Sequence, residues 1–338
     1  MITISGSIRE IAKNAGVSVS TVSRVINGKD RVSSETRDKV NKALEALDYK
    51  PNEMARVLRG KKSNTIGIVV SDISNNFFAK LIKGAERAAM AKGYNVLVCS
   101  TNSDCAKELE CIELLISKQV SGIIVASVGF ESGLENHKDE IPIVYIDNLP
   151  RHTKEFNSVS IDNLRASRRL TEYLITKGHR DIAILAGNLM ESTGQGRLAG
   201  WKNAMSESGL TIHDHWILTG EFSIESGYRC MEKLLAQKAR PTAVLAANNT
   251  IAYGAMLALR QNGYDVPGDV SIAAFDADDE TGLITPKLTT VNQPVQEFGR
   301  VAVDICLHHI GKEGQNHCVK TVLPYELIEG DSVKLLEG

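Results

Sequence analysis

The stretch that most constrains this chain is Ser7 to Asn27, SIREIAKNAGVSVSTVSRVIN. Ile8, Ile11 and Ala12 recur at helical spacing and Ala15 closes the run, which reads as a short amphipathic helix. Gly16 then supplies a turn, because a residue without Cβ takes a left-handed backbone at no steric cost. Ser18 stands in the N-cap position of a second run whose Val22, Val25 and Ile26 turn inward, and Gly28 ends that run as a helix C-terminus favours. Two short helices about a Gly-containing turn form the helix-turn-helix pattern, whose second helix enters the major groove of DNA. The polar set it would present is Ser20, Thr21, Ser23, Arg24 and Asn27. Such helix pairs also occur in ordinary cores, so the flanking sequence has to decide.

Ser34 to Tyr49 reads as a third helix, with Val40, Leu44 and Leu47 apolar. Pro51 then opens NEMARVLRG, which ends at Gly60. That segment is too short for a stable isolated helix, and Met54, Val57 and Leu58 make no internal core, so it suits a linker that orders on a partner. AxxAGVSxSTVSRVING, a third helix ending in LDYKPN, and ARxLR together resemble the DNA-binding head and hinge of the lactose-repressor (LacI/GalR) family. The similarity continues through nearly the whole chain. It implies a helix-turn-helix domain at 1–50, a hinge helix at 51–61 and an effector-binding and dimerisation domain at 62–338.

Carried over position by position, the resemblance implies that Val19, Ser20 and Arg24 read bases. Arg24 suits guanine O6 and N7, a pairing worth about 1–3 kcal/mol of discrimination, whereas Val19 reads only an apolar feature such as a thymine methyl. Ser7, Thr21, Ser23, Asn27, Ser33 and Thr36 match phosphate contacts, which orient the head without carrying sequence information. Leu58 matches an apolar wedge that opens a base step from the minor groove, with Arg59 beside it.

Charge agrees with this division. Residues 1–60 hold 11 Lys/Arg and 7 Asp/Glu, net +4, which leaves −6 of the formal −2 for the remainder. The start, MITISGSIREIAK, has no apolar core of signal-peptide length, and nowhere do eighteen apolar residues run uninterrupted, so a cytoplasmic protein without a membrane partner is expected. The six cysteines, Cys99, Cys105, Cys111, Cys230, Cys306 and Cys318, show no CxxC spacing and are expected to be reduced.

From Thr65 the texture becomes strand, helix, strand. The runs IGIVV (66–70), NVLVC (95–99), GIIVA (122–126) and IVYID (143–147) alternate with amphipathic stretches such as Phe78 to Lys92 and Ala106 to Lys118. The pattern recurs in IAILA (182–186), WILTG (216–220), AVLAA (243–247) and SIAAF (271–275). Short buried strands between helices indicate parallel sheets, and two successive units of similar size imply two lobes. The expected architecture is therefore an all-α helix-turn-helix head and an α/β two-lobed body, parallel sheets with helices on both faces. That body resembles a periplasmic sugar-binding protein. The resemblance implies an N-lobe of about 62–161 and 292–321 and a C-lobe of about 162–291 and 322–338, with the chain crossing back near 291 and 321.

Open α/β sheets bind ligands beyond the carboxyl ends of their strands. The polar and aromatic residues there are Asp72, Asn75, Phe77, Ser127 and Asp147 in the first lobe. The second lobe offers Thr193, Arg197, Phe222, Asn248 and Asp276. Carboxylates, amides and one Arg beside aromatic faces suit a polyhydroxylated ligand, since each hydroxyl both donates and accepts. The resemblance singles out many of the same positions: DISNNFF is similar to the family's DxSNPFF, STGQGRLAGW to its effector-gripping Arg segment, and LAANNTIAYGAM to its AANDxxAxGA. Two departures stand out: Asn76 replaces the usual Pro, and Asn249 replaces the usual Asp beside the cleft.

Gly194 to Ala199, GQGRLA, matches the loose GxGxxG/A dinucleotide fingerprint, but six residues separate it from the strand ending at Gly187, so nucleotide binding there is not expected. No GxxxxGK[ST] loop and no GxSxG elbow occurs, and His213, His215, His308 and His309 lack a metal-binding context. No catalytic residue, cofactor or metal is expected. The combined reading is a DNA-binding transcriptional regulator, a repressor of carbohydrate-metabolism genes. It would bind a palindromic operator in double-stranded DNA as a homodimer, under control of a sugar or sugar derivative in the cleft. The alternatives are a solute-binding protein and a purine- or nucleoside-responsive regulator. The resemblance leaves open whether a protein co-regulator docks on the body. The tail LPYELIEGDSVKLLEG shows no sustained heptads, which favours a dimer over a coiled-coil tetramer.

Overall fold

The computed structural model describes residues 7–26, 32–47, 63–129, 137, 140–150, 155–279, 281–310 and 318–337. They fall into two compact units, Met1–Ser63 and Asn64–Gly338. Asn27, Gly28, Leu58, Arg59 and the 51–61 hinge lie outside the described residues.

In the first unit, α1 (Ile8–Ala15), α2 (Val19–Ile26) and α3 (Ser34–Ala46) enclose a small core of Ile11, Ala12, Ala15, Val22, Val40 and Ala43. Each helix start is fixed by a hydroxyl. Ser7 and Glu10 form a reciprocal capping box, with Ser7 N–H donating to Glu10 Oε2 at 2.6 Å and Glu10 N–H to Ser7 Oγ at 3.3 Å. Ser18 Oγ accepts from Thr21 N–H at 3.2 Å, and Ser33 Oγ accepts from Thr36 N–H at 3.3 Å. Gly16 ends α1 at φ +65°, a left-handed residue that lets Val17 N–H reach back to Ala12 O at 3.0 Å.

The second unit carries two six-stranded sheets. The first runs β11 (Lys320–Val322), β5 (Asn157–Ser160), β4 (Ile143–Ile146), β3 (Gly122–Val125), β1 (Thr65–Val70) and β2 (Asn95–Ser100), every pair parallel. The second runs β12 (Glu326–Ile328), β10 (Thr289–Asn292), β9 (Ser271–Phe275), β8 (Ala243–Ala246), β6 (Ile182–Gly187) and β7 (Ile217–Thr219). Its pairs are parallel except β12, which runs antiparallel to β10. The antiparallel edge strand β12 joins the second sheet three residues after β11 leaves the first.

The helices follow the strands. They are α4 (Asn76–Met90), α5 (Cys105–Ser117), α6 (Asn163–Thr176), α7 (Ser192–Glu207), α8 (Ile224–Leu235), α9 (Asn249–Gln261) and α10 (Val295–His309). Strand interiors such as Ile66, Ile68, Ile124, Val144, Ile184 and Leu245 are fully buried, as parallel sheets covered on both faces require. Three connections pass between the lobes: β5 to α6, β10 to α10, and β11 to β12. Helix α10 follows a strand of the second sheet but packs on α4 and on β3, β4 and β5 of the first. The carboxyl ends of both sheets therefore line one cleft.

Candidate ligand cleft and DNA-facing helix

The cleft encloses a cavity of about 280 Å³, lined from both lobes. Nine of the ten residues chosen from sequence line it: Asp72, Asn75, Phe77, Asp147, Thr193, Arg197, Phe222, Asn248 and Asp276. Ser127 does not. It is buried, and its hydroxyl donates to Glu108 Oε1 at 2.8 Å and to Gly129 O at 3.1 Å, so it is consumed in holding the loop after β3. Its carbonyl accepts from Asn148 Nδ2 at 2.6 Å, which makes it a support rather than a wall.

Arg197 is the centre of the cleft. It is 3% exposed, its Nε donates to Asn163 Oδ1 at 2.8 Å, its Nη1 donates to Ala247 O at 2.5 Å, and its guanidinium lies 4.2 Å over the Phe275 ring. Nη2 has no hydrogen bond and faces the equally unbonded Asp147 Oδ1 at 3.8 Å. A buried cation and a buried carboxylate held just beyond bonding distance present one donor and one acceptor together, the pair that a hydroxyl engages from both sides. Burial pushes the Asp147 carboxyl above its ordinary range, and Arg197 opposes that shift.

Asp147 and Asp276 both adopt a left-handed backbone, φ +60° and +52°, directly after β4 and β9. Such values in non-glycine residues concentrate where surrounding structure dictates them, and here each amide is pinned to the next strand: Asp147 N–H to Val159 O at 3.0 Å, Asp276 N–H to Val291 O at 2.9 Å. Asp276 is further gripped by Gln293, through Nε2 at 2.6 Å and the backbone N–H at 3.0 Å. Burial still outweighs Arg197 and Gln293 and raises its pKa to about 6.

Several lining residues have a local duty as well. Asn75 Oδ1 caps α4 through Phe77 N–H at 3.0 Å, which serves the helix start where Asn76 stands, and Asn248 Oδ1 caps α9 through Ile251 N–H at 2.9 Å. Asp72 Oδ1 accepts from Ser74 N–H at 2.8 Å and closes a turn. Asn249 is buried and reaches across the cleft, its Nδ2 donating to Asn75 Oδ1 at 3.0 Å. An amide gives this contact a donor that a carboxylate at 249 would lack. Lys80 and Asp278 form a second bridge between lobes at 2.6 Å. Phe222 packs against Gly187, φ +73°, where a Cβ would lie 2.3 Å from the ring; only glycine meets both demands.

The sequence reading missed Ser71, Phe78, Asn102, Ser103, Glu191 and Ser223 on the cavity wall. Asn102 and Ser103 follow β2, so applying the strand-end rule to every strand would have found them. Glu191 precedes α7 by one residue. Among the described residues no group of three metal-ligating side chains occurs, and no helix is long and apolar enough to cross a membrane. The six cysteines are free, and His213 and His215 pack with Trp216.

On the head, Val19, Ser20 and Arg24 are exposed along α2, with Val19 44% accessible. Ser18 Oγ lies 2.7 Å from Ser20 Oγ and 2.8 Å from Thr21 Oγ1, which fixes the hydroxyls at the start of that helix. Ser7, Ser33 and Thr36 sit at the starts of α1 and α3, and Thr21 and Ser23 are half-buried along α2.

A helix-turn-helix unit followed by a two-lobed body with a polar cleft defines a ligand-responsive DNA-binding regulator. The family described as "Bacterial regulatory proteins, lacI family" matches residues 7–52, and "Periplasmic binding proteins and sugar binding domain of LacI family" matches residues 63–329. The chain belongs to the lacI family of bacterial transcription regulators. It is 36% identical over 332 residues to the HTH-type transcriptional repressor PurR of Erwinia tasmaniensis, covering 97% of this chain and 96% of that one. It is also 36% identical over 318 residues to the ribose operon repressor of Haemophilus influenzae, covering 92% and 94%. Among solved structures, the lac repressor dimer bound to operator and the anti-inducer ONPF superposes with a TM-score of 0.83 at 28% identity, over 97% of this chain and 99% of that one. The relatives are regulators, not enzymes.

Proposed function

We propose that this chain is a repressor that acts in the cytoplasm as a homodimer on a palindromic operator, and that a small uncharged polyol in the cleft controls its DNA affinity. Residues 1–50 form the head, 51–61 the hinge and 62–338 the effector and dimerisation domain. Val19, Ser20 and Arg24 read bases; Ser7, Thr21, Ser23, Asn27, Ser33 and Thr36 hold phosphates; Leu58 and Arg59 serve the minor groove.

The observation that carries the ligand reading is the unbonded pair Arg197 Nη2 and Asp147 Oδ1, buried in the cavity 3.8 Å apart. The cavity is at the small end of ligand pockets, which run roughly 300–1,000 Å³, so a single sugar ring suits it. Among the described residues its lining holds four acidic side chains, Asp72, Asp147, Glu191 and Asp276, against one cation, Arg197, which disfavours phosphates and acids. The ribose operon repressor of Haemophilus influenzae makes D-ribose the first probe. A purine is the second reading, supported by the purine-repressor relative and by the aromatic walls of Phe77, Phe78 and Phe222.

The test selects duplexes from a random pool, then titrates the selected operator by fluorescence anisotropy at fixed salt with D-ribose, other monosaccharides, sugar phosphates and purines. A neutral sugar is expected to change operator affinity, and at ~100 times its dissociation constant to stabilise the protein by about 2.7 kcal/mol. Arg24→Ala should lower affinity for the selected operator far more than for random duplex. A response to purines alone would replace the polyol reading, and equal loss on both duplexes would remove Arg24 from base reading.

A further inference from the structure

Glu191 occupies the N-cap position of α7, but its side chain makes no hydrogen bond to that helix. Asn75, Asp104, Asp162, Ser223 and Asn248 occupy the same position on α4, α5, α6, α8 and α9, and each accepts a backbone N–H there. The Glu191 side chain instead lines the cavity, where the described residues offer its carboxyl no hydrogen bond. Among the described residues, the charged and titratable groups that act on it are Asp147 after β4, Glu108 and the Cys105 thiol of α5, Glu221 after β7, and Arg197 of α7 itself. Among the described residues three acids thus oppose one cation, whose Nε and Nη1 are already bonded to Asn163 and Ala247 O.

A carboxylate in such surroundings loses hydration and gains repulsion, so the proton stays on. Burial first, then Asp147, raise the Glu191 pKa from 4.5 to about 8, with Arg197 pulling the other way. Near neutral pH the group is a carboxylic acid, which donates through O–H and accepts through its carbonyl oxygen.

Resting on the polyol reading above, we propose that Glu191 is a specificity-determining residue that meets the ligand as a neutral carboxylic acid, hydrogen-bonds one of its oxygens, and restricts the cleft to uncharged ligands. Ligand binding buries the carboxyl further, so losing its proton and keeping the ligand are mutually exclusive. Affinity for a neutral sugar then falls as Glu191 ionises. A ligand phosphate meets the same surplus of carboxylates and is refused at any pH in the range.

Calorimetric titration of the full chain with D-ribose and D-ribose 5-phosphate between pH 6.5 and 9 tests this, with Glu191→Gln and Glu191→Ala beside the wild type. The protonated fraction of a group titrating near 8 falls about tenfold between pH 7 and pH 9, and wild-type affinity for D-ribose should fall by the same factor. Glu191→Gln imitates the neutral acid and cannot ionise, so its affinity should be level across that range and about tenfold above wild type at pH 9. Glu191→Ala should bind about tenfold or more weakly than Glu191→Gln at pH 7, and D-ribose 5-phosphate at least about 100-fold more weakly than D-ribose to the wild type. A level wild-type profile, or a Gln variant as weak as the Ala variant at pH 7, would overturn the role given to Glu191 while leaving the polyol reading intact. Failure of the wild type to bind D-ribose or any neutral monosaccharide would overturn both.

Discussion

Asp147 and Asp276 occupy matching places in the two lobes. Each follows a strand third from the edge of its sheet, β4 and β9, each has a left-handed backbone, and each gives its amide to the neighbouring strand. Their carboxylates nevertheless differ. Asp276 accepts two hydrogen bonds from Gln293, in the connection from β10 to α10, whereas Asp147 Oδ1 accepts none and is left facing Arg197. A satisfied buried carboxylate is scaffold; an unsatisfied one beside an unsatisfied cation is a handle. The same fold unit used twice therefore supplies one fixed anion beside an interlobe connection and one anion reserved for what enters the cleft.

Removing the partner that both carboxylates share should erase the distinction most completely. Arg197→Ala leaves Asp147 and Asp276 as buried anions without a cation and breaks the bonds to Asn163 and Ala247 O. A destabilisation of about 3–5 kcal/mol is expected, read by denaturant unfolding, together with loss of sugar binding by calorimetry. A smaller change makes the two acids alike: Gln293→Ala strips Asp276 of its 2.6 Å bond and should cost about 1–3 kcal/mol. Because that bond lowers the Asp276 pKa, its loss should move titration above about 6, which carboxyl-labelled NMR would follow. The sign for stability follows from the raised value. The contribution of Asp276 is fully present below its unfolded pKa near 3.8 and is lost as pH rises through the folded one, so in the Gln293→Ala protein the loss should shift to higher pH.

The sequence showed these acids unequally. Strand periodicity located eight of the twelve strands among the described residues, and the strand-end rule placed Asp147 and Asp276 on the cleft wall. The missed strands β5 (NSVS), β10 (TTVN), β11 (KTV) and β12 (ELI) carry only one or two apolar residues each, so no apolar run stands out. Which acid is satisfied depends on Gln293, seventeen residues beyond Asp276 and brought to it by the β9–β10 pairing, a contact no local pattern encodes. Ser127 failed for the converse reason: it stands at a strand end as the rule requires, but the buried Glu108 of α5 draws its hydroxyl away from the cleft. No local pattern marks Glu191; its role follows from the acids that the fold gathers around it.

The asymmetry between the two carboxylates is tested most directly by comparing Asp147→Asn with Asp276→Asn in one pair of titrations, D-ribose binding by calorimetry and thermal unfolding without ligand. Asp147→Asn should lose about 100-fold or more in affinity while unfolding at the wild-type temperature or above, since it relieves a buried charge that lacks a hydrogen bond at Oδ1. Asp276→Asn should unfold earlier, because it disturbs the Gln293 bonds beside the interlobe connection. Matching losses of affinity and stability in the two variants would contradict the division of labour between the lobes.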